Sequence, residues 1–192
     1  ADLNQELFDK LYEPGTVSSV KDLEEKIKVG LQTQFEPQAN QKLMNDISEA
    51  IVEKTKFKLP VDFLKKWIQT SAKEPMTKEE AINEFNKSEK GIRYQLIEGK
   101  IISENELNIT FEELKDFTAI MVQKQMLQYG QTPEKEKLDE IVSNIMSNQE
   151  ETRRISEQLM GDKMLNFYKD KAPLKTKKIG FDAFIKQAYA KA

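Results

Sequence analysis

The sequence predicts an all-α protein: an elongated, multi-helix domain whose helices are joined by short turns. Three observations carry this expectation. Helix-start signals recur along the chain, the clearest being Thr77 with Glu80 and Thr110 with Glu113, each at capping-box spacing. Apolar residues recur three and four apart, and no segment shows convincing period-two alternation. The composition is 38% apolar and 33% charged, with a mean hydropathy of −0.67, lean for a compact globule, so much surface per residue is expected. Glycine and proline are scarce and the charges are mixed along the chain, so residues 1–192 read as one continuous domain without a flexible tether.

From Val20 the apolar residues run Leu23, Ile27, Leu31, Phe35, Ala39, Leu43, Ile47 and Ile51. Each step after Leu23 is four residues, so the stripe creeps by roughly 40° per step around an ideal helix. Such a long helix meets different neighbours along its length, and Pro37 is expected to kink it or break it in two. After Pro75 as a stop, Thr77 opens a helix carrying Ile82, Phe85, Ile92 and Leu96 on one face and reaching about Glu104. Gly91 and Gly99 lie inside it and read as places where another helix crosses closely, in preference to a phosphate-binding turn.

The helix from Thr110 has Ile109 and Leu114 where a hydrophobic staple clamps the first turn, and Gly130 suits the left-handed position after its end. Thr132 followed by Pro133 is expected to start the next helix, completing a helical hairpin. Its second limb carries Leu138, Ile141, Val142, Ile145 and Met146 on one face. Asn148 with Glu151 caps a further helix through Ile155, Leu159, Met164 and Phe167. Lys177 to Ile179 is at most a short extended piece before the last helix.

Exclusions narrow the chemistry. With no His and no Cys, Ser/His and Cys/His nucleophile systems and the usual nitrogen and sulfur zinc sites have no ligands, and disulfides cannot form. Adjacent acids such as Glu112/Glu113 and Glu150/Glu151 point apart on a helix and read as first-turn dipole partners. No catalytic residue, metal site or cofactor is expected, and the chain is not read as an enzyme. Lys175, Lys177 and Lys178 are the one compact basic cluster noted; in a chain of net charge −3, without interleaved aromatic residues, they read as a solvated tail and not a nucleic-acid site. Apolar runs such as Ala119 to Val122 fall far short of the roughly 18 residues that span a bilayer, so no membrane partner is expected. The absence of Cys and of a visible signal peptide fits a cytoplasmic location.

Several segments, in order, resemble the C-terminal domain of trigger factor, the substrate-holding part of the bacterial ribosome-associated chaperone. LNQELFDKLYEPGTVSSVKDLEEKI (3–27) resembles the short helix, turn and long helix that follow the family's prolyl-isomerase domain. FKLPVDFLKKWI (57–68) is similar to its "apolar, x, apolar, Pro" lead into the next helix. EGKIISENELNITFEELK (98–115) is similar to the joint between its helical arms, and KIGFDAFIK (178–186) to its C-terminal Phe-Asp segment. The Gly-Phe-Arg-x-Gly-Lys ribosome-docking loop does not occur in these residues, nor does a strand-rich segment of isomerase size. The chain is therefore expected to be a fragment lacking the ribosome-binding and prolyl-isomerase domains. The short insert between Trp67 and Gly91 implies a shortened first arm.

What the resemblance implies is long helical arms, in a fold like the trigger factor C-terminal domain and the peptide-binding domain of periplasmic chaperones. The implied function is an ATP-independent holdase whose partners are unfolded or nascent polypeptides. The ribosome would be reached only through the absent N-terminal domain, and a second copy is a weak partner at most. By family position the hairpin tip, with Met126, Tyr129, Ile141 and Ile145, corresponds to a client-contacting surface. Met121 and Val122 extend it, because apolar residues there spread over more than one face. Ile82 and Phe85 are candidates on the other arm. Met121, Met126, Met146, Met160 and Met164 concentrate in the same region, where flexible thioethers suit varied apolar partners or fill gaps in a core. The alternative is a helical scaffold without holdase activity, since an apolar stripe is usually just core.

Overall fold

The structure, a computed structural model, describes residues 2–72 and 74–189, the side chain of Tyr189 apart. Eight helices and no strand occur among the described residues: α1 (Gln5–Leu11), α2 (Val20–Lys54), α3 (Val61–Ser71), α4 (Lys78–Glu104), α5 (Phe111–Gln128), α6 (Lys135–Ser147), α7 (Gln149–Lys171) and α8 (Phe181–Tyr189). The chain divides into two compact units: the described residues up to Asp46 together with those from Gly180 onward, and Ile47–Ile179.

In the first unit, the Asn4 side chain caps α1 by accepting from the Leu7 N–H. A turn with Gly15 at φ +84° leads to α2, whose start is fixed by Ser19 accepting from the Asp22 N–H and Asp22 accepting from Ser18. Those bonds, to the Ser18 and Ser19 hydroxyls first, hold the Asp22 carboxyl below the usual carboxylate range. Phe8, Val17 and Leu23 are buried together with Tyr12 packed against them, and Gln5 ties the turn down by donating to the Val17 carbonyl at 2.9 Å. Phe35 of α2 meets Phe181 of α8 with ring centroids 5.1 Å apart.

Of the kink or break expected at Pro37, the break does not occur: α2 runs uninterrupted from Val20 to Lys54. Pro37 removes one N–H, but Pro37 and Thr33 both lie on the exposed side, where water can take up the carbonyl that loses its partner.

In the second unit α3 packs along α4, while α5, α6 and α7 pack on one another. The α2–α3 connection is held to α4 by Arg93, which donates to the Phe57 carbonyl at 2.8 Å, stacks over the Phe57 ring at 5.2 Å and pairs with Glu89. Thr77 and Glu80 form the expected capping box of α4. That helix ends with Glu106 in the left-handed region (φ 54°) and the Leu107 N–H returning to the Ile102 carbonyl, the six-to-one bond of a Schellman cap on a residue other than glycine. Leu114, Thr118, Val142, Ile155, Met164 and Tyr168 are the buried residues of α5 to α7. Thr118 satisfies its hydroxyl by donating to the Leu114 carbonyl at 2.7 Å. Asn148 caps α7 as expected, accepting from the Glu150 and Glu151 N–H groups.

Two expectations fail here. A Cβ built on Gly91 or Gly99 meets nothing within 4 Å among the described residues, so no described helix crosses closely there; both sit on the exposed side of α4. The α6 helix starts at Lys135 with Glu134 as cap, two residues beyond the Thr132–Pro133 signal.

Candidate functional site

The α5–α6 hairpin is defined at both ends by backbone chemistry. At its start, the Thr110 hydroxyl accepts from the Glu113 N–H at 3.2 Å while the Glu113 carboxylate accepts from the Thr110 N–H at 2.8 Å. The other Glu113 oxygen receives the Lys163 ammonium of α7 at 2.7 Å, and Lys163 also donates to the Asn108 carbonyl. Lys163 first, and the Thr110 N–H second, pull the Glu113 carboxyl down to about 2. At the far end of α5, Gly130 takes φ +70° and the Gly130 and Gln131 N–H groups return to the Leu127 and Met126 carbonyls. This is a complete Schellman cap, which places Tyr129 at the turn.

The named candidates divide by exposure. Tyr129 is 76% exposed. Met121, Val122, Met126, Ile141 and Ile145 are half-buried, each leaving part of its apolar surface open. Leu127, exposed beside Tyr129, was missed by sequence reasoning, as were the exposed Phe111 and Ile120 of the same helix.

On α4, Ile82 is exposed but Phe85 is only 3% exposed, with the Lys65 ammonium of α3 5.5 Å from its ring centroid. Phe85 is therefore core and not client surface. The buried residues of α4 are Ala81 and Phe85; of the stripe expected through Ile82, Phe85, Ile92 and Leu96, Phe85 is buried and Ile92 half-buried while Ile82 and Leu96 are exposed. Met164 is fully buried as well, which makes it a core-filling methionine. In the C-terminal halves of α4 and α7, burial raises the pKa of both the Tyr94 and Tyr168 phenols, and Tyr94 donates to Glu98 at 2.9 Å. No group of three metal-ligating side chains occurs among the described residues, and no helix there is long and apolar enough to cross a membrane.

The family model described as "probable trigger factor, C-terminal domain" matches residues 39–187, from within α2 to α8 and including the whole hairpin. The chain belongs to that family. No curated protein and no solved structure gives a match. Membership of the trigger factor C-terminal domain family carries a chaperone-type function, directed in general at unfolded or nascent polypeptides; the family's domain is a non-catalytic one.

Proposed function

We propose that this trigger factor C-terminal domain is an ATP-independent holdase that takes apolar segments of unfolded or nascent chains onto the α5–α6 hairpin. The observation that supports the reading best is the open apolar surface at the end of α5. Leu127 and Tyr129 are exposed there, with Met126 half-buried beside them in sequence and Ile141 and Ile145 half-buried on α6. Large apolar side chains left in water together mark an interaction surface more often than isolated ones do.

The energetics suit weak, reversible capture. Burying roughly 400 Å² of apolar surface gives on the order of 10 kcal/mol, and lost translational and rotational freedom takes back about 4 to 15 kcal/mol. Single patches then release quickly, and further patches such as Ile82 and Met121 with Val122 add avidity, so a client can leave and fold without an energy source. In this reading the domain works in the cytoplasm, and ribosome docking and prolyl isomerisation belong to other segments of the family's longer proteins.

The test is light scattering from a denatured client diluted into buffer with a several-fold molar excess of the chain. Suppressed aggregation without added nucleotide is the expected result. Unchanged aggregation would favour a scaffold role.

A further inference from the structure

The α2–α3 connection and α3 carry a surface that the hairpin reading does not use. Between Lys54 and Trp67 the chain has five lysines, at 54, 56, 58, 65 and 66, against one acid, Asp62, in a protein whose net charge is −3. Two cations near this connection are engaged: Lys65 lies over the Phe85 ring and Arg93 over that of Phe57. Lys54, Lys56, Lys58 and Lys66 are exposed, and none of their side chains has an ion pair or hydrogen bond among the described residues.

On α3 itself, Leu64 and Ile68 are half-buried, and Gln69 donates to the Met76 carbonyl at 3.1 Å. The exposed residues of α3 are Asp62, Phe63, Lys66, Trp67, Thr70 and Ser71, and of these Phe63, Lys66, Trp67 and Thr70 have the spacing of one helical face. Phe63 is 65% exposed and Trp67 55% exposed. Two uncovered aromatic rings with uncompensated lysines on and around their helix are complementary to an apolar segment flanked by carboxylates. The rings take the apolar residues, and the lysines supply charge complementarity and orientation.

Resting on the polypeptide-binding reading above, we infer that the α3 face is a second client subsite, one that selects apolar segments flanked by Asp or Glu. A polypeptide fits better than a polyanion. The basic stretch is short and broken by Asp62 beside Phe63, and a nucleic acid or an anionic bilayer would also meet the repulsion of a net negative chain.

Trp67 is the only tryptophan of the chain, so its fluorescence reports this face directly. The chain is titrated with three synthetic peptides sharing one Leu/Phe core and flanked by Asp/Glu, by Lys or by Ser. The expected result is a blue shift with the acid-flanked peptide at about tenfold lower concentration than with the Lys-flanked one at low salt, the gap narrowing as salt screens it. Lys56→Glu with Lys66→Glu should abolish that preference while leaving the thermal melt and the affinity for the Ser-flanked peptide unchanged. Equal affinities, or a preference that survives the double substitution, would overturn the subsite while binding of the Ser-flanked peptide upholds the general polypeptide reading. Failure of all three peptides to bind anywhere on the chain, read by anisotropy of labelled peptide, would remove both. A stronger response to phosphatidylserine vesicles or to single-stranded RNA than to the acid-flanked peptide would overturn the assignment in favour of that partner.

Discussion

The Glu113 carboxylate closes the capping box of its own helix and at the same time takes the Lys163 ammonium of α7 at 2.7 Å, fifty residues further along the chain. One side chain thus fixes where α5 starts and ties that start to α7. Its ionised form is held by the contact with Lys163 first and by the Thr110 N–H second, and its pKa falls to about 2 from an ordinary value of 4.5.

The sign of the pH dependence follows. A carboxyl whose pKa is lower folded than unfolded contributes its full stabilisation above about 4.5 and loses it as pH falls towards about 2. Glu113→Gln keeps the capping-box residue type while removing the charge. The melting temperatures of the wild type and this variant should differ by a constant amount near neutral pH and converge between about 4.5 and 2. A gap unchanged down to pH 2 would mean that the carboxylate charge is not what matters there.

Gly91 and Gly99 sit in the interior of α4 with open space where a Cβ would go. Each Gly→Ala substitution should stabilise by about 0.5 to 1 kcal/mol, raising the melting temperature by a few degrees at most. A drop for either variant would reveal a neighbour pressed against α4.

Glu106 holds the left-handed position of the α4 Schellman cap, a conformation that carries a penalty of about 1 kcal/mol for a residue with a Cβ. Glu106→Gly should be neutral to stabilising, up to about 1 kcal/mol, by urea denaturation. Clear destabilisation would mean that the Glu106 side chain contributes more than the backbone strain costs.

Core and surface should separate in the same assay. Met164 is fully buried, so Met164→Ala is expected to cost about 2 to 5 kcal/mol; Phe85→Ala should cost about 3 to 5. Exposed Ile82→Ser and Tyr129→Ser should stay within about 0.5 kcal/mol. A large loss from Tyr129→Ser would move that residue from surface to core.

What was legible in the sequence was local. The boxes at Thr77/Glu80 and Thr110/Glu113, the Asn148 cap and the Gly130 stop all rest on hydrogen bonds within a few residues, so spacing alone locates them. What failed depended on neighbours distant in sequence. Whether Gly91 meets a helix, and which of Ile82 and Phe85 faces α3, is decided by packing that no window of α4 contains; Ala81, too small to register in an apolar stripe, marks the buried face. That α2 continues through Pro37 without a break was not readable either, because the cost of the proline depends on exposure of the carbonyl it orphans. At the candidate site, Tyr129 and Met126 could be named from the sequence. Leu127 and the α3 pair Phe63 and Trp67 could not, since an apolar residue becomes a binding candidate only when nothing covers it.

The most direct test of the holdase account is the affinity of a fluorescently labelled, permanently unfolded client for the wild-type chain and for the variant Leu127→Ser with Tyr129→Ser. The variant should melt as the wild type does and bind the client at least several-fold more weakly, because two exposed apolar side chains are lost from the contact at about 1 kcal/mol or more each. Unchanged affinity in a normally folded variant would contradict the placement of client binding on the α5–α6 hairpin.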